Sequence, residues 1–358
     1  MLVRSVPIKL NVSEVILKTI KLYKQGLQLC VDKAWELRIR NNIKLHPFVY
    51  YDLRSIGLPS QLSISCIKQA CGIVKKAKSK PFINRTSIRY NAPRSFSFKN
   101  NVLSISTLEG RVKIPISIPN YALKYFKDWK IVESLLTQSK DKHYFTFTFS
   151  RESPTASNQH CEVLGVDLGV NKLAITSNNV FYGNKIKSLR KRRDRFVGKL
   201  QSKGTKASKR KLKKFSGKWN RFMCWTNHKI SKSIISSLKM GDVVVMEDLT
   251  GIRKSARYNK WVHKWAFRQL QDFIEYKALE NGIRVVYVNP AYTSKECNRC
   301  SSRNTTRHSG FFECKDCGHS LDSDINGARN IARRYTRNMC RAVVNTPILT
   351  SDDAILRG

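Results

Sequence analysis

"EVLGVDLGVNKLAITSNN", Glu162–Asn179, reads as a strand, a turn and a second strand. The first strand is apolar up to Val166 and then runs into an acid, Asp167, with Gly165 and Gly169 on either side. An acid at that place is costly unless it is paired or holds a metal. "GDVVVMEDL", 241–249, repeats the pattern, with an apolar run leading straight into Glu247. A third acid, Asp324, stands just before a final helix expected from about Asn326. Each acid taken singly is read equally well as a cap or a solvated turn. Taken together they point to a cluster. Repulsion of about 4 kcal/mol per close pair at an intermediate dielectric is relieved when divalent cations bind. Oxygen-only ligands favour Mg²⁺ or Mn²⁺ over Zn²⁺. Two such ions can activate a water and stabilise the leaving oxygen of a phosphodiester.

Residues 185–232, between Asp167 and Glu247, carry 19 Lys and Arg and a single acid, Asp194. They read as a helical hairpin (185–238) broken near Gly204. A solvated basic face is the usual fate of a charge run, but this one is too one-sided for i,i+4 pairs to hold it. We read it as a phosphate-binding surface and assign nucleic-acid contacts to Arg190, Lys191, Arg192, Arg193, Lys209, Arg210, Lys211, Lys213 and Lys214. "HKWAFRQLQDFIEYKALENGI", 263–283, is an amphipathic helix, and "RVVYVNP", 284–290, is a further buried strand. Strand–turn–strand, basic excursion, strand, helix, strand and final helix suit an RNase H-like α/β fold. In that fold, acids from separated segments meet at one edge of the sheet.

Cys297, Cys300, Cys314 and Cys317 are spaced C-x2-C-x13-C-x2-C, the signature of a tetrahedral structural Zn²⁺ in a ribbon. Four thiolates leave no open position, so the metal folds a polar loop and pins the segment before Asp324. Asp322 ranks second to Asp324 as the acid of the cluster. Asn326 and Gly327 shape the helix start, and His319 stands outside the metal site. The remaining cysteines are scattered, as expected in a reducing cytosol.

The N-terminal half has a different pattern. "SVPIKL", 5–10, alternates as a strand. Ser13 opens a helix reaching about Arg40, and 60–77 is another. "SFSFKNNVLSIS", "RVKIPISI" and "YFTFTFS" alternate as antiparallel strands with one buried face. The simplest assembly is a β-barrel of residues 1–10 and 79–160 with a helical insertion at 11–78. The expected fold class is therefore multidomain α+β, with an RNase H-like nuclease domain over 161–334. A zinc ribbon is inserted at 291–320, and a tail follows at 335–358.

Over its 358 residues the chain has 67 Lys and Arg against 25 Asp and Glu, a net charge of +42. Such an excess is self-repulsive without a polyanion, so nucleic acid is the expected partner. The sequence contains neither a signal-peptide run nor a membrane-length apolar stretch. The expected location is the prokaryotic cytosol, associated with the nucleoid and away from membranes.

"GVDLGVNKLAI", "VVVMEDLTGI", "VNPAYTSKECNRC" and "CKDCGHSLDSDINGARNIARR" resemble, in order, the signatures of TnpB. TnpB is the transposon-encoded RNA-guided nuclease related to type V CRISPR effectors. The likeness covers roughly 163–334, and the N-terminal half is similar to the family's wedge barrel and recognition insertion. It implies a RuvC-type catalytic trio at Asp167, Glu247 and Asp324, which would bind Mg²⁺ or Mn²⁺. It implies zinc on the four paired cysteines and a guide RNA made from the transposon end. It further implies cleavage of double-stranded DNA beside a short T-rich motif. Ser301 stands where the family usually has Gly, so that turn should carry strain. A guided repressor or transposition accessory factor remains the alternative, with a strand-transferring transposase behind it.

Overall fold

The computed structural model describes residues 1–139, 142–154, 162–169, 171–249 and 267–344. The chain divides into two compact units, Met1–Glu152 and Ser153–Gly358.

In the first unit, β1 (Leu2–Leu10) pairs with β8 (Lys142–Arg151), which also pairs with β7 (Ser134–Ser139) and β6 (Lys130–Ile131). β2 (Ser87–Tyr90) closes the row against β7. A second antiparallel sheet runs through β3 (Phe96–Lys99), β4 (Val102–Thr107) and β5 (Gly110–Pro115). Asn100 and Asn101 turn β3 into β4 with φ of 50° and 59°, the left-handed pair that a two-residue hairpin needs. Phe145, Phe147 and Phe149 are fully buried on one face of β8, with Phe96 edge-on to the first two. No strand pairing joins the two sheets among the described residues, so the expected barrel takes the form of two sheets over one aromatic core.

Helices α1 (Glu14–Glu36), α2 (Asn42–Ser55) and α3 (Ser60–Lys76) form the insertion between β1 and β2. Ser13 is the cap residue of α1, though its side chain makes no capping bond. The helix ends at Glu36, short of the expected Arg40, because Arg38 turns left-handed at φ 54°. A short α4 (Leu123–Asp128) lies before β6.

The second unit is built on a five-stranded sheet. β9 (Val163–Asp167), β10 (Ala174–Thr176), β11 (Phe181–Tyr182), β12 (Val243–Glu247) and β13 (Arg284–Val288) lie in the order β11-β10-β9-β12-β13. β9, β12 and β13 are parallel, whereas β10 and β11 are antiparallel. This is the order of the RNase H-like sheet. β12 is apolar on both faces because both are covered. Val244 and Met246 pack with α6 (Lys206–Ser236) and α7 (Phe267–Glu280), while Val243 and Val245 pack with Ile331 and Tyr335 of α8 (Ser323–Val344). α5 (Ile186–Lys203) and α6 form the basic hairpin, and Gly204 ends α5 at φ 62°. The small sheet of β14 (Thr305–His308), β15 (Phe311–Cys314) and β16 (Ser320–Asp322) carries the second thiol pair.

α8 differs from the sequence expectation at both ends. It starts at Ser323, so Asp324 lies in its first turn rather than before it, and it runs past Arg334 to Val344. The start is fixed by Asp322, whose Oδ1 accepts the Asp324 N–H at 2.9 Å.

α8 lies directly on β9. A Cβ on Gly165 would stand 2.1 Å from the Ala328 carbonyl oxygen and 2.8 Å from the Ala332 nitrogen. Gly165→Ala must therefore push strand and helix apart, at a cost of about 3 kcal/mol, which lowers the melting temperature by about 6–12 °C. Gly198→Ala, in open space on α5, should leave it unchanged or raise it. Thermal unfolding of the two variants side by side checks this.

Candidate active site

β9 and β12 run parallel in the register Val166↔Met246, and each ends one residue later on its acid, Asp167 or Glu247. α8 brings the third acid. A Cβ on Gly327 would lie 2.8 Å from Asp167 Oδ2, so the first turn of the helix sits against that carboxylate. Asp167 is pushed up to about 7, first by burial and then by the charges of Glu247 and Asp324, with Arg307 and the Leu168 N–H opposing. Glu247 is raised by burial against a hydrogen bond from Thr293 and the charge of Arg334. The Thr293 hydroxyl donates to Glu247 Oε1 at 2.5 Å, and Gln271 donates to the Glu247 carbonyl at 2.8 Å. Lys172 reaches Asp322 Oδ2 at 2.7 Å and Asp324 Oδ2 at 3.2 Å.

The trio fits a hard divalent cation. Its donors are all carboxylate oxygens, and Asp167 holds its proton to near neutrality, first because it is desolvated and then because two other acids face it. Among the described residues, the four thiols are the only set of three or more such ligands whose atoms all lie within 4.8 Å of one another, and the three carboxylates are spread more widely than that.

Cys297, Cys300, Cys314 and Cys317 form that tight set. The Sγ atoms of Cys300 and Cys314 are 3.5 Å apart, and those of Cys297 and Cys317 are 3.8 Å apart. A tetrahedron with Zn–S of about 2.3 Å has edges of about 3.8 Å. Ser301 has φ 67°, the strained turn expected there, and its hydroxyl accepts from Arg337 at 2.5 Å. The thiol module is tied to α8 itself. Asn326 accepts the Asn298 N–H at 3.0 Å and donates to the Glu296 carbonyl at 2.8 Å. Asn330 donates to the Thr293 carbonyl at 2.8 Å, and Arg333 donates to the Asn298 carbonyl at 2.9 Å.

The chain is similar to known proteins in both sequence and fold. Residues 146–251 match the family OrfB_IS605, described as probable transposase, and residues 267–331 match the Cas12f1-like TNB domain. The chain is 29% identical over 271 residues to a TnpB-like protein of Methanocaldococcus jannaschii, covering 67% of this chain and 92% of the relative. The chain belongs to the TnpB family. It is also 29% identical over 299 residues to the CRISPR-associated endodeoxyribonuclease Cas12f2 of a Micrarchaeota archaeon. That match covers 71% of this chain but only 54% of the relative, so the chain spans about half of that protein's length. In fold it is similar to a Cas12f1–sgRNA–target DNA complex, with TM-score 0.53 and 14% identity over 88% of this chain and 80% of that one. The TnpB signature segments of the sequence thus fall on β9, β12, the thiol module and α8. Val170, residues 250–252 and residues 263–266, which belong to the quoted stretches, lie outside the described residues.

On the basic hairpin, Lys191, Arg192, Lys209, Arg210, Lys211, Lys213 and Lys214 are exposed. Arg193 is half-buried, 3.0 Å from Asp194 and stacked over Trp219. Arg190 departs from the surface assignment. It is buried at 7% exposure, one helical turn before Asp194, whose charge partly offsets its desolvation. Sequence reading missed Lys172, Thr293 and Arg307 at the carboxylates. It placed Asn326 at the helix start but missed the polar stripe that continues from it along α8 (Asn330, Arg333, Arg334, Arg337), whose near-helical spacing was a readable signal.

Below about pH 4 Asp167 is protonated in both the folded and unfolded chains. As pH rises towards 7 the unfolded chain ionises while the folded site keeps the proton, so stability falls with pH. Melting without Mg²⁺ or Mn²⁺ should therefore drop between about pH 4 and 7, and Asp167→Asn should flatten the drop, leaving the contribution of Glu247, which is raised in the same direction. Elemental analysis should find a single zinc ion per chain, and a strong chelator should abolish amide-exchange protection around 293–320.

Proposed function

We propose that this TnpB-family chain is an RNA-guided DNA endonuclease that cuts double-stranded DNA by metal-dependent phosphodiester hydrolysis. The observation that carries the reading is that β9 and β12 end side by side on Asp167 and Glu247, while the first turn of α8, which bears Asp324, sits against the Asp167 carboxylate. Asp167, Glu247 and Asp324 would hold two Mg²⁺ or Mn²⁺ ions, which when bound supply an activated water and charge for the leaving oxygen. Thr293 fixes the Glu247 carboxylate, and the Gly327 turn keeps the helix close to Asp167 without filling the space of its oxygens. Arg307, whose charge reaches Asp167, is positioned on the thiol module to draw a phosphate towards the acids.

The exposed Lys and Arg of α5 and α6 give the hairpin the character of a backbone-binding surface for a guide RNA derived from the transposon end. Target sequence is then chosen by RNA–DNA pairing, and protein contacts read duplex shape and a short T-rich flanking motif. The names of the endodeoxyribonuclease relative and of the guide-RNA complex support this reading.

Plasmid cleavage by the purified chain with its copurifying RNA and Mg²⁺ tests it. Asp167→Ala should lower the cleavage rate at least a thousandfold, a loss of about 4 kcal/mol in transition-state stabilisation, while RNA binding stays intact. Tight guided binding by the wild type without any cut would instead identify a repressor.

A further inference from the structure

Lys172 has three partners at once. Its ammonium lies 2.7 Å from Asp322 Oδ2, 3.2 Å from Asp324 Oδ2 and 4.4 Å from the centre of the Phe181 ring. Two of these hold it at the edge of the carboxylate trio without belonging to the trio. Asp322 is itself anchored, because its other oxygen caps α8 through the Asp324 N–H. Asp324 is different, since the carboxylate that Lys172 holds through Oδ2 is one of the three that a divalent ion would share. A monovalent ammonium and a divalent ion on one carboxylate repel each other. Asp322 gives the ammonium a second carboxylate, within its present reach, to keep when Asp324 is given up.

We infer that Lys172 is a resident counter-cation of Asp324 that neutralises it in the metal-free chain and cedes it to a divalent ion by moving wholly onto Asp322. The inference rests on the reading of the three acids as a cation site. Lys172 is then a positioning residue with two opposed effects. It steadies Asp324 and the start of α8 when no Mg²⁺ or Mn²⁺ is bound, and it raises the metal concentration needed to fill the site. A purely structural lysine would support the fold and metal binding together. A lysine that only contacts substrate would leave both unchanged in the absence of nucleic acid.

Calorimetric titration of the full zinc-loaded chain with Mn²⁺, using Asp167→Ala as the blank, distinguishes these roles. Lys172→Met should bind Mn²⁺ about tenfold more tightly, the lower end of what one adjacent charge does to a carboxylate. The same variant should melt a few degrees lower without Mn²⁺. Lys172→Arg, which keeps the charge, should follow the wild type in both. Asp322→Asn, which leaves the ammonium with Asp324 alone, should bind Mn²⁺ more weakly. Unchanged or weaker Mn²⁺ binding in Lys172→Met overturns the inference, as does unchanged binding in Asp322→Asn. A wild type whose Mn²⁺ heats match the Asp167→Ala blank removes the cation site itself, and with it the nuclease reading.

Discussion

The second unit depends on a strand and a helix meeting with almost nothing between them. Gly165 presents bare backbone to α8, and Ala328 and Ala332 are the small residues that face it. Gly327 does the same for the carboxylate of Asp167. A larger residue at Gly165 would lift the helix off the sheet and carry Asp324 away from the other two acids, and one at Gly327 would push the Asp167 carboxylate aside. Parallel pairing of β9 with β12 handles the remaining geometry, since a shared register ends both strands on an acid at the same level. The site is therefore a product of close packing on one side and strand register on the other. Neither requires the acids to attract one another, which at neutral pH they do not.

α8 is divided into three working stripes. Ala328 and Ala332 take the glycine contact, Ile331 and Tyr335 pack on Val243 and Val245, and Asn326, Asn330 and Arg333 grip the segment leading into the thiol module. That third stripe explains why a metal clip adjoins the acids. The loop from Asn289 to Asn304 has no regular structure apart from turns, and few apolar side chains. Its backbone carbonyls are instead satisfied by side chains from the helix, and the four thiols hold its far end. Thr293, the residue that hydrogen-bonds Glu247, lies in this loop and is itself held through its carbonyl by Asn330. The clip and the helix together therefore set the position of a carboxylate that belongs to neither.

The features legible in the sequence were those with strong local chemistry. Apolar runs broken by Asp167 and Glu247 gave away the buried parallel strands, and the cysteine spacing gave away the thiol set. Gly204 marked the hairpin break because a left-handed cap leaves a clear trace. The features that stayed hidden depend on distance in space. Lys172 is one lysine among many, and nothing local ties it to acids that lie 150 residues further on. Arg190 sits within a basic run, so its burial by the fold could not be read from composition. Asp324 was placed outside the helix because its own side chain resembles a cap, whereas Asp322 performs the capping. In the first unit, strand alternation located the aromatic face correctly, but alternation says nothing about whether two sheets close into a ring.

The basic hairpin shows how a chain with so large a charge excess folds before any polyanion arrives. Phe196 meets Phe215 at 4.8 Å between ring centres, and Trp219 and Phe222 continue that seam towards the core beneath the sheet. Arg193 lies over Trp219 and Lys211 over Phe196, so part of the charge rests on aromatic faces that also hold the two helices together. Apart from the buried Arg190, the remaining lysines and arginines point to solvent, where ions screen them over about 8 Å at physiological salt. Cohesion and charge are thus assigned to opposite sides of the same helices. The aromatic seam keeps the hairpin folded while the outer face stays uncompensated, and an uncompensated cationic face can take up an extended anionic backbone without displacing ion pairs of its own.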